Sequence, residues 1–214
     1  LERREDALQN RSTTPARTDR HQNALAVGYG WRSGPHNLQV NARHDDDSEF
    51  GGQSTGLLAY GYDVSRTLRL TASAGTAFRV PTLFQRFSIY GTPDLKAETA
   101  HNVEAGVHWQ SGTDRLAVVV YRNRVRDLID YVSGPGPCVN GVGTYAGCYG
   151  NVGRARITGV TFSGGTRVGA VNLGGSWDVM RPKNALTDKW LARRARSQAT
   201  LTADTALAGW RLGG

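Results

Sequence analysis

The chain has 214 residues, 26 Lys or Arg against 18 Asp or Glu, and a formal net charge of +8 at pH 7. That length suits one all-β domain or one sheet of about ten strands, and no run approaches the roughly 18 apolar residues of a membrane-crossing helix, which says nothing against a barrel. The positive charge invites a nucleic-acid partner, but the arginines are spread along the chain and dense only at Arg122/Arg124/Arg126 and Arg193/Arg194/Arg196; without a recognition-helix, zinc-finger or aromatic-basic pattern, nucleic acid is excluded as a partner.

In chain order, Leu1-Glu2-Arg3-Arg4-Glu5-Asp6 carries both charge signs and no apolar stretch, so it is no signal peptide, and an exported protein is expected to begin upstream of it. Leu25, Val27, Tyr29 and Trp31 then alternate with Ala26, Gly28 and Gly30, the period of a strand. The turn Ser33-Gly34-Pro35-His36 follows, then a longer connection at 45–53 holding Asp45-Asp46-Asp47 and Glu49. Those carboxylates are the best candidate cation site, but they lack the glycine and distal glutamate of a calcium loop, so a solvated acidic turn is the favoured reading and no metal is expected. After the turn Asp63-Val64-Ser65-Arg66, Leu68, Leu70, Ala72 and Ala74 alternate with polar or small residues up to a long connection at 78–99. Val103, Ala105, Val107 and Trp109 alternate with Glu104, Gly106, His108 and Gln110, predicting one set towards lipid and the other towards a lumen.

Beyond the turn Ser111-Gly112-Thr113-Asp114, the run Ala117-Val118-Val119-Val120 hides its facing. Arg122, Arg124 and Arg126 share one strand face, whether towards a wet lumen or towards anionic headgroups. A long loop at 133–149 holds Cys138 and Cys148 among glycines and prolines; in an oxidising compartment such an isolated pair reads as a disulfide worth about 3 kcal/mol. The rival, a metal site, would leave zinc's four positions half empty. The turn Gly165-Thr166-Arg167, the alternation of Val171, Leu173 and Trp177, a long connection at 181–193 and the turn Ala206-Leu207-Ala208 complete the series.

Tight turns thus alternate with long loops along the whole chain, the pattern of an outer-membrane β-barrel with short periplasmic turns and long external loops. The segments also reach the roughly 9–11 residues that a tilted membrane strand needs. Tyr29, Trp31, Trp109, Tyr121 and Trp177 lie towards segment ends, where amphipathic rings suit a lipid interface. The same alternation would fit a soluble sandwich with one buried face. No nucleophile elbow, zinc-protease helix or phosphate loop is present, so the chain is expected to be no enzyme and to carry no cofactor.

Five stretches, in order, resemble the barrel of TonB-dependent outer-membrane receptors. They are Arg43-His44-Asp45-Asp46-Asp47-Ser48-Glu49-Phe50-Gly51; Thr76 to Leu83 with Tyr90 to Thr99 and Asn102 to Val107, including Phe78-Arg79-Val80-Pro81-Thr82-Leu83 and Gly91-Thr92-Pro93-Asp94-Leu95-Lys96-Ala97-Glu98; Tyr121 to Ile129; Asn151 to Val160; and Leu191-Ala192-Arg193-Arg194. Thr92 and Ala97 stand where the family usually has Asn and Pro. The resemblance, nearest to cobalamin-carrying members, implies that residues 1–214 form about ten strands of an all-β antiparallel meander, part of a roughly 22-stranded transmembrane β-barrel. On this reading the plug domain and the closing C-terminal strand are absent from the chain. It further implies location in the cell outer membrane, lipid around the barrel, and active uptake of a large scarce nutrient, cobalamin or a ferric siderophore, driven through the plug by the inner-membrane TonB complex. Arg193 matches a substrate-contacting arginine of the cobalamin-carrying members, although an Arg-Arg pair opening a strand recurs in members with other ligands. A passive porin or adhesin barrel, or a secreted glycan-binding β-sandwich, is the alternative.

Overall fold

The computed structural model describes residues 1–10, 16–133, 147–207 and 209–214. The chain runs through β1 (Glu2–Gln9), β2 (Arg17–Ser33), β3 (His36–Asp47), β4 (Gly51–Asp63) and β5 (Leu68–Arg79) to a short helix α1 (Leu83–Phe87). It continues through β6 (Glu98–Ser111), β7 (Asp114–Arg126), β8 (Ile129–Ser133), β9 (Gly147–Asn151), β10 (Arg154–Val168), β11 (Val171–Asn184), β12 (Ser197–Leu207) and β13 (Trp210–Gly213). Eleven strands form one antiparallel sheet in chain order, except that β7 pairs directly with β10 while β8 and β9 form a hairpin of their own. The expected meander of about ten strands is therefore present, and among the described residues the sheet does not close on itself.

The strands obey the period-2 rule, but with burial inverted relative to a soluble sandwich. On β6, Val103 is 56% and Val107 46% exposed, while Gly106 on the opposite face is buried. Cross-strand partners extend this outer face: Val107 pairs with Leu70 and Val118, Ala105 with Ala72 and Val120, and Tyr29 with Val40. A two-sheet sandwich would bury this face against a partner sheet; here it is bare across β2 to β11, the condition of a sheet solvated by hydrocarbon. The buried apolar residues Ala24, Leu83, Leu95, Val125, Leu128, Ile129 and Ala155 instead gather where the long connections fold against the inner face.

Turns separate by length as the sequence predicts, except at the connection expected at 45–53. β2 and β3 are joined by two residues, as are β6 and β7, and Gly34 and Gly112 take φ of +51° and +57°, a left-handed geometry that glycine adopts without a Cβ penalty. Two expected boundaries move. Gly165-Thr166-Arg167 lies inside β10, and the turn falls after Val168 at Gly169; Ala206 and Leu207 lie in β12, with Ala208 outside the described residues. The connection expected at 45–53 shrinks to residues 48–50, because Asp47 accepts hydrogen bonds from the amides of Glu49 (2.9 Å) and Phe50 (3.1 Å) and closes the chain in a side-chain-capped turn.

The long connections that remain meet at one end. Tyr149 N–H donates to Tyr90 C=O (3.0 Å) and Thr92 Oγ1 donates to Tyr149 C=O (2.6 Å), so the 80–97 segment lies against the β8–β9 hairpin. α1 sits within that segment. Thr82 Oγ1 accepts from Gln85 N–H and Gln85 Oε1 from Thr82 N–H, a reciprocal cap that fixes where the helix starts.

Candidate ligand-binding mouth and inner wall

The inner wall is polar where the outer face is apolar. Tyr121, read from sequence as a possible interface ring, faces inward instead: its hydroxyl donates to Asp178 Oδ1 and Oδ2 (3.1 and 3.0 Å), and Thr161 Oγ1 donates to the same carboxylate (2.6 Å). With Asn102, Glu104 and Asn123 these groups border a hollow of about 530 Å³. A larger hollow of about 1010 Å³, with Arg32, Asp63, Arg69 and His108 on its wall, lies at the short-turn end, away from the long connections.

Near the mouth the inner wall becomes a braced charge network. Arg20, buried on β2, donates from Nη1 to Pro81 C=O (2.7 Å) and from Nη2 to Asp6 (2.8 Å), and its Nε stands 3.5 Å from Asp47 Oδ2. One guanidinium thereby joins β1, β2, β3 and the chain leaving β5. Arg43 clasps Asp45 through Nε and Nη2 (2.8 and 2.7 Å) and reaches Glu2 (2.9 Å), while Gln22 donates to Asp45 (2.9 Å). Asp45 and Asp47 pair with Ala24 and Gln22 on the inner face, whereas Asp46 pairs with Asn23 on the other face, so the three carboxylates do not converge. Two of them have an arginine counter-charge, and among the described residues no cluster of three or more His, Cys, Asp or Glu has metal-holding geometry.

Two side chains pin the long connections together. Buried Glu98 accepts from Arg79 Nε and Nη2 (2.8 and 2.7 Å) and from Ile129 N–H (2.6 Å), fastening β8 to the base of β5 and β6. Asn151 accepts from Lys96 N–H (2.9 Å) and donates to Asp127 C=O (2.6 Å) and Lys96 C=O (3.1 Å). Above these pins Phe84, Tyr90, Tyr131 and Tyr149 form a chain of edge-to-face rings with centroid separations of 5.7–6.2 Å.

Arg193 stands in the connection before β12 at φ +55°, its guanidinium carbon 5.9 Å from the Tyr131 ring centroid. The structure thus sets it against the aromatic cluster, which sequence reading missed because these rings come from two separate connections, 80–97 and the β8–β9 hairpin, and share no spacing. Cys148 lies in β9, and Cys138 lies outside the described residues. Arg122, Arg124 and Arg126, whose facing was open, alternate with inward Tyr121, Asn123 and Val125 and so belong to the outer face.

A family model described as TonB dependent receptor-like, beta-barrel, matches residues 4–214. Among solved structures, a mutant of the ferric enterobactin receptor PfeA from Pseudomonas aeruginosa superposes with a TM-score of 0.70 at 18% identity, over 89% of this chain and 31% of that one. The siderophore receptor PirA from Acinetobacter baumannii gives 0.71 at 17% identity, over 90% and 32%. A copper transporter, OprC, gives 0.72 at 17% identity, over 91% and 34%. These likenesses establish a shared fold, and the chain spans about a third of the length of each.

Proposed function

This chain belongs to the TonB-dependent receptor-like β-barrel family, and from that premise we propose that it is part of an outer-membrane receptor for active uptake of a large scarce nutrient, a ferric siderophore or cobalamin. The observation that carries the reading is the inversion of the sheet: an apolar outer face bare across β2 to β11, with a polar, ion-paired inner wall leading to a mouth built from the long connections. A sheet of this kind suits lipid outside and a hydrated, plugged lumen inside. PirA is named a siderophore receptor and PfeA a ferric enterobactin receptor, which favours a ferric siderophore as the class of ligand.

Within the mouth, Arg193 and the Phe84/Tyr90/Tyr131/Tyr149 cluster form the proposed ligand surface, with stacking area from the rings and a charged donor for ligand oxygens. Cys138 and Cys148 are proposed to form a disulfide that restrains the β8–β9 connection. Iodoacetamide should label neither thiol before reduction and both after it; labelling without reductant refutes the pair. The intact receptor should support accumulation of labelled ferric siderophore or cobalamin only when TonB and the proton gradient are present. Uptake that persists without either would make the barrel a passive pore.

A further inference from the structure

The outer face carries a dense cationic patch that nutrient uptake does not use. The register places Arg126 of β7 opposite Arg154 of β10, Arg124 opposite Arg156, and Arg122 opposite Thr158, which in turn lies opposite Arg181 of β11. Lys183 of β11 faces Arg156 from the other side. Seven cations from three adjacent strands thus occupy one side of the sheet. Five of them, Arg122, Arg124, Arg126, Arg154 and Arg181, are exposed, and among the described residues none of these five has an ion pair. The carboxylate facing the patch is Asp188, which takes Arg156 (3.4 Å) and Lys183. His101, opposite Arg124, and Thr99, opposite Arg126, complete its β6 side.

Like charges directly opposite in a sheet repel one another, and this patch stacks three such pairs, Arg126/Arg154, Arg124/Arg156 and Arg156/Lys183. Its position is specific as well. Two residues further along each strand the same face turns apolar, with Val120 and Val118 on β7, Val160 and Phe162 on β10, and Val179 and Trp177 on β11. Two residues along a strand is about 6.6 Å, the distance from a hydrocarbon boundary into the headgroup layer. Trp190 sits at the rim beside Lys183 and Arg196, which lie 5.4 and 5.0 Å from its ring centroid, an interfacial ring flanked by cations. The patch occupies the end of the long connections, so it meets the leaflet that those connections face.

We propose that this patch is a binding site for phosphate-bearing lipid headgroups of the outer leaflet, with the guanidinium pairs of β7 and β10 gripping phosphate oxygens while the acyl chains lie on the Val118/Val120/Phe162 band. It rests on the membrane reading above and not on which nutrient is carried. Arginine forks suit phosphate oxygens, and an anion between facing arginines relieves the repulsion that the bare sheet leaves standing.

The test is native mass spectrometry of the intact receptor in neutral detergent with added diphosphorylated lipid A, set beside an uncharged glycolipid and beside inorganic phosphate alone. The wild-type receptor should retain lipid A selectively. The Arg122→Gln/Arg124→Gln/Arg156→Gln variant should lose affinity on the order of a hundredfold, given roughly tenfold or somewhat less for each basic residue at an anionic surface. Lysine at the same three positions should bind more weakly than arginine and more tightly than glutamine, because it keeps the charge and loses the fork, and the single variant Arg124→Gln should show a partial loss where the triple variant fails to fold. Equal retention by wild type and glutamine variants, equal binding of the uncharged glycolipid, or binding of free phosphate without lipid A would overturn the proposal. Nutrient affinity should be unchanged in every variant, so loss of lipid binding and failure of the transport reading register separately.

Discussion

At the scale of single residues, facing decides what a substitution costs. Val107 is exposed on the outer face and His108 faces inward, where its Nε2 lies 3.0 Å from Thr71 Oγ1. Arginine at 107 should therefore cost roughly 2–4 kcal/mol of folding into bilayers if the site lies near the midplane, whereas arginine at 108 should escape the lipid penalty; denaturant titration in vesicles measures both, and equal costs would refute the facing. At the mouth, Arg193→Ala should weaken nutrient binding by about 1.5–3 kcal/mol, the worth of a charged hydrogen bond, with the barrel still folded. Unchanged affinity would leave Arg193 a packing residue for Tyr131. Facing was legible in sequence wherever apolar and polar residues alternate strictly, as at 103–110. It was illegible at Tyr121, because the preceding valines are apolar on both faces: Val118 and Val120 look outward, while Val119 looks inward against Gly106.

At the scale of elements, the long connections behave as one body because few side chains fasten them. Asn151→Ala deletes three hydrogen bonds, two that tie Lys96 of the 80–97 segment to the hairpin base and one that ties the hairpin base to Asp127 C=O, each worth about 0.5–1.5 kcal/mol net. Amide exchange at residues 95–97 and 127–131 should accelerate severalfold while the β6 and β7 ladders keep their protection; acceleration across those ladders as well would show that the connections are integral to the sheet. The division into short turns and long connections was legible because glycine, proline and serine mark the tight ends. The shrinkage of 45–53 was not, since it depends on the Asp47 side chain capping its own turn. β1 also escaped sequence reading: Glu2, Arg4 and Asp6 face the charged inner wall, so the strand shows no apolar alternation and is recognisable only through its ladder with β2 and its ion pair to Arg20.

At the scale of the whole molecule, β1 and β13 each pair on one side only among the described residues. Unpaired strand edges are not tolerated in hydrocarbon, so the 214-residue chain refolded alone in detergent should associate edge to edge and elute as oligomers in light-scattering chromatography. A monodisperse monomer with protected β1 and β13 amides would contradict this. The all-β meander and the placing of the long connections at one end were legible in sequence from turn lengths; the mouth was not, because its aromatic cluster and its Glu98 and Asn151 pins join residues from distant connections. The direct pairing of Arg126 with Arg154 gives the architecture a further property. Everything from residue 127 to 153 is an excursion that leaves the ladder and returns to the neighbouring rung, so it can lengthen, shorten or be exchanged without shifting the register of any strand. Such a layout uncouples two constraints within one chain: the wall answers to the pairing of its strands, while the 127–153 connection can change without disturbing that pairing.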